Sequence, residues 1–175
     1  MRWAVINKLI KDYGCKSYLE IGVQNRACFD RVVCAKRQGV DPNEAGKDIF
    51  TGDSDTFFLE KRDFDIVFID GLHHAEQVER DILNSWSAKV IILHDCNPPT
   101  EDVQAVPRAT RAWWGDVWRA FVGFRMKYPQ VESYCHDFDC GVGVIIPSGK
   151  IERGFVADMD YGDFDKNRKE LLNLI

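Results

Sequence analysis

A chain of 175 residues is long enough to bury roughly 70% of its unfolded surface as one α/β domain, here residues 1–175, so it needs no disulfide or structural metal. A net charge of −5 argues against nucleic acid as a partner and favours small-molecule chemistry. Six cysteines without CxxC pairs, and a start without a signal-peptide core, predict a reduced cytoplasmic protein. Because no apolar run approaches the ~20 residues of a membrane span, no membrane partner is expected.

The first third of the chain predicts a helix, a strand, a glycine turn and a second helix. The first helix is indicated by apolar residues that share one face: Trp3, Ile6, Ile10 and Tyr13. A short strand over 17–21 then breaks at Gly22, and a helix is predicted from Asn25, which can act as its N-cap. A second strand ends at Asp41 because Pro42 stops it. A weak third strand over 48–51 is followed by a turn and a short helix near 57–59.

The central stretch from Phe64 to Pro99 predicts a strand, helix and strand unit. A buried strand over 66–69 runs into the polar stretch 70–74, and a second strand over 90–93 ends in His94 and Asp95. The helix between them is indicated by one apolar face: Ala75, Val78, Ile82 and Trp86. Since parallel strands place their carboxyl ends at one sheet edge, we expect these polar groups to converge there.

The last third predicts a loop, a helix, a hairpin and a terminal helix. Three prolines mark the loop over 98–111, and one apolar face predicts a helix over 116–128. Strands over 131–135 and 142–146 form the hairpin, and a helix near 164–175 closes the chain. Alternating strands and helices followed by a hairpin indicate a doubly wound α/β fold.

Strand-end residues of the first half are candidates for binding a small ligand. The single glycine of the first turn does not match a GxGxxG dinucleotide fingerprint, although Gly22 and Glu20 can still face a small ligand. Asp41 can accept hydrogen bonds from two vicinal ribose hydroxyls, or it can simply be a turn former before Pro42. Asp53 and Ser54 can contact the edge of an adenine ring or cap the helix that follows.

Between about Tyr18 and Ile146 the chain resembles a small branch of the class I S-adenosylmethionine-dependent methyltransferases. The specific blocks are IDGLHH and LHDCNPP, supported by LEIGVQN, GVDP, TGDSDTFF, GDVW and CGVGVI. The resemblance implies a Rossmann-like fold, with a mostly parallel seven-stranded sheet, an antiparallel C-terminal hairpin and helices on both faces. It also implies these cofactor contacts: Glu20 and Gly22 near the methionine part, Asp41 on the ribose, Asp53 and Ser54 near the adenine, and Asp70 under the cofactor. Arg26 stands where the family usually has glycine.

The same resemblance implies a metal site in some relatives. In related O-methyltransferases, the acid after the fourth strand and two residues after the fifth bind a divalent cation. The matching residues here are Asp70 together with either His94 and Asp95 or Asp95 and Cys96. Two carboxylates suit Mg²⁺, whereas a histidine ligand tilts the preference toward Mn²⁺, Fe²⁺ or Zn²⁺. Alternatively, His94 and Asp95 form a hydrogen-bonded pair that organises the following loop.

Methyl transfer to a hydroxyl needs a base, and the first candidate is His73, whose ordinary pKa near 6.5 suits neutral pH. His94 and Asp95 are further catalytic candidates, and His74 is an alternative. The simpler interpretation of His73 and His74 is capping of the next helix. A cluster of tryptophans, Trp113, Trp114 and Trp118, lies among arginines and either shapes the acceptor side or packs on the sheet.

The sequence therefore predicts an S-adenosylmethionine-dependent methyltransferase that acts at oxygen on a small-molecule or sugar-containing acceptor. Residues 97–125 are expected to shape the acceptor pocket, and a homo-oligomer can complete it. Two alternatives stay open. One is a non-catalytic module that binds S-adenosylmethionine, and the other is a metal-dependent hydrolase or oxygenase that uses His73, His94 and Asp95.

Overall fold

The structure, a computed structural model, describes residues 1–60 and 62–175. Its strands are β1 (Ser17–Ile21), β2 (Lys36–Asp41), β3 (Ile49–Thr51), β4 (Ile66–Ile69), β5 (Val90–Leu93), β6 (Ser133–His136) and β7 (Val142–Ile145). Its helices are α1 (Arg2–Asp12), α2 (Ser54–Phe57), α3 (Ala75–Asn84), α4 (Val117–Lys127) and α5 (Tyr161–Leu172), with 3₁₀ turns at Phe29–Arg31 and Asp102–Gln104.

The strands form one seven-stranded sheet in the order β3-β2-β1-β4-β5-β7-β6. Strands β1 to β5 are parallel, and β7 and β6 complete the sheet as antiparallel neighbours. The order of strands reverses direction between β1 and β4, which is the switch point where open α/β sheets bind ligands. This topology confirms the predicted Rossmann-like methyltransferase fold.

Each face of the sheet packs against helical segments in its own apolar cluster. On one face Ile6 and Ile10 of α1 pack with Phe29 and with alternate residues of the strands. On the other face α3, α4 and α5 pack against residues such as Val67 and Ile91. The central strands are therefore buried on both sides, as their continuous apolar sequences require. Among the helices of the described residues, none is long and apolar enough to cross a membrane.

The helix predicted from Asn25 is wrong. The segment between β1 and β2 contains only the 3₁₀ turn Phe29–Arg31. Arg26 adopts a left-handed backbone with φ of 63°, which an α-helix does not tolerate. The apolar residues that suggested a helix, Phe29 and Val32, are nevertheless buried, so they fill the position of a helix on this face without forming one.

A candidate ligand cavity at the strand ends

A cavity of about 560 Å³ opens at the carboxyl ends of β1, β2, β3, β4 and β5, within the size range of small-molecule sites. Eight of the predicted site residues line it: Gly22, Asp41, Asp53, Ser54, Asp70, His73, His94 and Asp95. Since these residues come from five separate turns, the parallel topology alone brings them together. The ninth, Glu20, is not among the lining residues.

Gly22 is required by the close approach of two backbones. Its φ is +86°, and a Cβ placed on it would lie 2.1 Å from the carbonyl oxygen of Asp70. Backbone hydrogen bonds fix this turn, from the Gly22 N–H to the Val40 carbonyl and from the Asp70 N–H to the Ile21 carbonyl, both at 2.8 Å. Any larger residue at position 22 would separate the turns after β1 and β4.

Arg26, at the position where the family resemblance implies a glycine, also has a positive φ, of 63°. Its guanidinium lies 3.0 Å from Asp48 and 3.1 Å from Asp30. These ion pairs hold a conformation that costs a non-glycine residue about 1–2 kcal/mol. The turn therefore has a left-handed residue at position 26 although that residue is arginine and not glycine.

Asp41 organises the turns after β1 and β2 through backbone donors. Its Oδ2 accepts from the N–H of Gln24 at 2.7 Å, and its Oδ1 accepts from the N–H groups of Asn43 and Glu44 at 2.7 and 3.0 Å. Only 5% of Asp41 is exposed, and that part faces the cavity. Because each carboxylate oxygen has more than one acceptor site, the side chain can serve the turn and still accept from a ligand.

Asp53 and Ser54 form the edge of the cavity after β3. Asp53 is the N-cap of α2 and accepts a hydrogen bond from the Thr56 N–H at 2.6 Å, so the capping alternative is observed. Ser54 is buried, and its hydroxyl donates to Asp81 at 2.6 Å. Gln77 also lines this end and donates to Ser54 at 3.1 Å.

Asp70 is the centre of a charged cluster at the opposite end of the cavity. Its oxygens lie 3.3 Å from Nδ1 of His94, 3.5 Å from Nε2 of His73 and 3.5 Å from the Arg2 guanidinium. Burial raises the pKa of Asp70, but the hydrogen bonds of His73 and His94 and the charges of His94 and Arg2 outweigh it and hold the pKa well below its usual range. Asp70 is therefore ionised at neutral pH.

His94 and Asp95 follow β5 and point into the same cluster. Asp95 has a φ of +59°, a left-handed conformation that turns the chain sharply after the strand. Its Oδ1 lies 2.9 Å from Nδ1 of His94. Burial lowers the pKa of His94, but Asp70 and Asp95 outweigh it and raise the pKa to about 10. His94 therefore carries a proton at neutral pH, which makes it a poor general base.

His73 lies between the two carboxylates and an aromatic ring. Its Nε2 faces Asp70, its Nδ1 lies 3.2 Å from Asp95, and its ring stacks on Trp113 at 5.4 Å between centroids. Burial lowers the pKa of His73, whereas Asp70 and Asp95 raise it, and the net shift is upward. His74 is the N-cap residue of α3 by position but makes no side-chain capping hydrogen bond, and Asp116 accepts the N–H of Ala75 at 2.7 Å.

Trp118 and Trp113 have different surroundings, one in the core and the other beside His73. Trp118 is fully buried and donates through Nε1 to Gln104, so it packs in the core. Trp113 instead stacks on His73 at the cavity and donates to the carbonyl of Ala105 at 2.7 Å. The loop after β5 thus reaches the charged end of the cavity through Trp113.

Glu20 lies outside the cavity lining, against the opposite face of the sheet. Only 1% of it is exposed, and it accepts a hydrogen bond from the Tyr18 hydroxyl. Burial raises the pKa of Glu20 to about 8, against the opposing effect of the Tyr18 hydrogen bond.

Two sets of side chains in the cluster bring potential metal ligands together. Atoms of Asp70, His73 and Asp95 lie within 4.8 Å of one another, and so do atoms of His94, Asp95 and Cys140. However, the Arg2 guanidinium and the protonated His94 already neutralise Asp70 and Asp95. A divalent cation bound here would have to displace the Arg2 guanidinium from Asp70 and the proton from His94.

Among the residues at or beneath this cavity that sequence reasoning missed are Arg2, Gln77 and Asp81. Arg2 and Gln77 line it, and Arg2 comes from the first turn of α1, far from the strand ends in sequence. Asp81 follows Val78 by three residues and so falls on the buried face of α3, where an acid needs a partner. That spacing was the available signal for Asp81, whereas Arg2 carried none.

Known structures were found that share this fold at low sequence identity. An O-methyltransferase from Bacillus cereus in complex with S-adenosylhomocysteine is 14% identical with a TM-score of 0.59, over 83% of this chain and 80% of that chain. TomG from Streptomyces achromogenes, an O-methyltransferase involved in tomaymycin synthesis and solved with S-adenosylmethionine, is 12% identical with a TM-score of 0.56, over 85% and 80%. The methyltransferase PaMTH1 from Podospora anserina, bound to S-adenosylhomocysteine, is 16% identical with a TM-score of 0.55, over 85% and 78%.

No protein-family profile and no curated protein sequence matches the chain. At identities of 12–16% the structural similarity shows the fold. That fold is the one which the IDGLHH and LHDCNPP blocks predict.

Proposed function

We propose that this protein, whose fold is that of the class I S-adenosylmethionine-dependent methyltransferases, transfers a methyl group to the oxygen of a small-molecule or sugar-containing acceptor. The observation that carries the proposal is the cavity at the strand ends, where Gly22, Asp41, Ser54 and Asp70 lie together. These are residues that the family resemblance assigned to the cofactor. The O-methyltransferases with bound cofactor among the similar folds support the same reaction.

The cavity has groups that suit both ends of the cofactor. Asp41, Asp53 and Ser54 offer hydrogen-bond acceptors to ribose hydroxyls and an exocyclic amine. Gly22 lets the backbone approach the ligand closely, and Asp70 and Arg2 provide opposite charges for an amino acid group. The volume of about 560 Å³ lies within the range of cofactor sites.

When bound, S-adenosylmethionine supplies an electrophilic methyl group, and the chain must align an acceptor oxygen with it. Alignment alone contributes roughly 7–11 kcal/mol in well-oriented reactions. His73 is the base that we favour, with Nε2–H donating to Asp70 and with Nδ1, a buried nitrogen that has no hydrogen-bond partner among the described residues, taking the hydroxyl proton. Asp95, 3.2 Å from Nδ1, then stabilises the imidazolium. His94 acts as a fixed positive charge, and Trp113 orients the His73 ring.

Other expectations stay predictions. A homo-oligomer and a cytoplasmic location, predicted from the sequence, accompany the proposal. A cation held by Asp70, His94 and Asp95 would polarise the acceptor oxygen, and its binding would require His94 to lose its proton and Asp70 to exchange Arg2 for the metal. No step above depends on a metal.

Calorimetry with S-adenosylmethionine and S-adenosylhomocysteine tests the proposal. We expect micromolar binding by the wild type, and binding weakened by more than about tenfold in Asp41→Ala, which corresponds to about 1.4 kcal/mol. Asp63→Ala is the matched control, since this exposed carboxylate contacts only the hydroxyl of Ser87 among the described side chains. Each titration is repeated with EDTA and with Mn²⁺, and EDTA should leave the affinity unchanged.

Absence of binding by the folded wild type would overturn the proposal. Tight binding of a transition metal, without affinity for S-adenosylmethionine, would instead favour the metal-dependent hydrolase or oxygenase. S-adenosylmethionine binding without methyl transfer, unchanged when His73 is substituted, would favour the non-catalytic module.

A further inference from the structure

Asp81 is a buried acid that the reaction described above does not use. Only 1% of it is exposed, and it lies on the buried side of α3 beneath the cavity edge formed by Ser54 and Gln77. Its Oδ1 accepts from the Ser54 hydroxyl at 2.6 Å and from the Gln77 amide nitrogen at 3.2 Å. A buried carboxylate is costly unless such partners hold it, so this network is a specific arrangement.

The network fixes the direction of each hydrogen bond. Arg80 can only donate, and it donates to Oε1 of Gln77, so the Gln77 amide nitrogen must face Ser54 and Asp81. The two N–H groups of that amide are shared among three acceptors, Ser54, Asp55 and Asp81, at 3.1–3.3 Å from the nitrogen. An ionised Asp81 can only accept, so the Ser54 hydroxyl must give its proton to Asp81.

As a result, the Ser54 oxygen has no proton left for a ligand. One of its lone pairs takes the Gln77 N–H, and the other accepts from no described residue, so it is left for a ligand in the cavity that Ser54 lines. Ser54 therefore offers the ligand an acceptor and not a donor. This polarity distinguishes a ring with an amino group from a ring with a carbonyl oxygen at the same place.

We propose that Asp81 is a positioning residue that makes Ser54 an obligate acceptor, so that the cavity selects an aminopurine ring over the corresponding oxopurine. The inference rests on the proposed function, because it concerns the nucleobase of the proposed cofactor. A site built to bond a polar group rejects an analogue whose group has the wrong polarity.

The charge state of Asp81 is compatible with this role. Burial raises the pKa of Asp81 to about 6, although the Ser54 and Gln77 hydrogen bonds oppose the increase. The neighbouring Asp55 raises the pKa further, and Arg80 lowers it. At pH 8 the carboxylate is therefore ionised and can only accept.

The test compares S-adenosylhomocysteine with its deaminated analogue S-inosylhomocysteine by calorimetry at pH 8. Wild type should prefer the amino form by about tenfold or more. In Asp81→Asn, an amide can donate to Ser54 and free its proton for the ligand, so the two affinities should come within about threefold of each other. Glu79→Gln is the matched control, because this buried acid of the same helix holds the backbone of Gly154 and Phe155. It should keep the wild-type ratio.

Ser54→Ala provides a second variant if Asp81→Asn does not fold, and it should also lose the preference because the acceptor is gone. A folded Asp81→Asn or Ser54→Ala protein with the wild-type ratio would overturn the inference and leave the proposed function intact. The same holds for a wild type that binds both ligands equally. A wild type that binds neither ligand would overturn both.

Discussion

At the end of the cavity formed by the turns after β2 and β3, carboxylates are held by backbone N–H groups and neutral side chains. Asp41 accepts from backbone N–H groups of two turns, and Asp81 accepts from a hydroxyl and an amide. At the other end, after β4 and β5, Asp70 and Asp95 face histidines and the Arg2 guanidinium.

This difference shows how one cavity can combine fixed recognition with adjustable charge. Backbone N–H donors do not titrate, so the hydrogen bonds that they give to Asp41 do not depend on the charge of a partner, and Asp81, with a pKa of about 6, is the titrating group of this end. The charged end depends on the protonation of His73 and His94. We therefore expect substitutions at the charged end to have larger effects on stability.

The largest effect is expected from Asp70→Asn. It removes the carboxylate shared by Arg2, His73 and His94, so each of these partly buried groups loses one of its carboxylate neighbours. Breaking such a pair costs about 3–5 kcal/mol, measured as the free energy of unfolding in urea. The exposed Asp63→Asn variant should change it by less than about 0.5 kcal/mol. A loss below about 1 kcal/mol for Asp70→Asn would mean that the two ends do not differ as described.

A smaller, pH-dependent effect is expected from Glu20→Gln. The folded-state pKa of Glu20 is about 8, raised by burial from 4.5, so its contribution to stability is complete below pH 4.5 and is lost as the pH rises through 8. We expect the wild type to lose on the order of 3 kcal/mol from this group between pH 5 and pH 9, and Glu20→Gln to lack that dependence. Urea unfolding at pH 5, 7 and 9 measures the difference.

Glu132→Gln, a substitution of an exposed acid, is the control for the same series. Its unfolding free energy should follow the wild-type pH profile. If Glu20→Gln also follows that profile, Glu20 is ionised without cost in the folded protein, and its burial against Tyr18 does not control its charge.

The fold was largely readable from the sequence because buried parallel strands carry a strong signal. The predicted bounds of β4 and β5 agree with the structure, since both are continuous apolar runs that end in polar residues. The segment after β1 was misread because its buried residues follow a helical spacing. Spacing reports which side chains are buried, but not whether the backbone between them is helical, and Arg26 prevents the helix.

The site was predictable only where topology determines it. Strand ends must converge in a parallel sheet, which is why Asp70 and Asp95 could be grouped from sequence. Arg2 reaches the same cluster from α1, and no strand rule brings that residue there. Glu20 alternates to the other face of β1, so its position at a strand end did not place it in the cavity lining.

The smallest effect is expected from the pair that closes the charged end, Arg2 and Asp139. The Arg2 guanidinium lies 3.3 Å from Asp139, and their side chains are 28% and 19% exposed, so solvent screens the attraction only in part. A double-mutant cycle with Arg2→Met and Asp139→Asn should give a coupling of about 0.5–1 kcal/mol in unfolding free energy. The pair Lys8 and Asp12, whose side chains are 74% and 42% exposed, is the control and should couple by at most about 0.5 kcal/mol. Equal coupling in both pairs would mean that Arg2 lies against the cluster without being held there, and that the charged end is built by the strand turns alone.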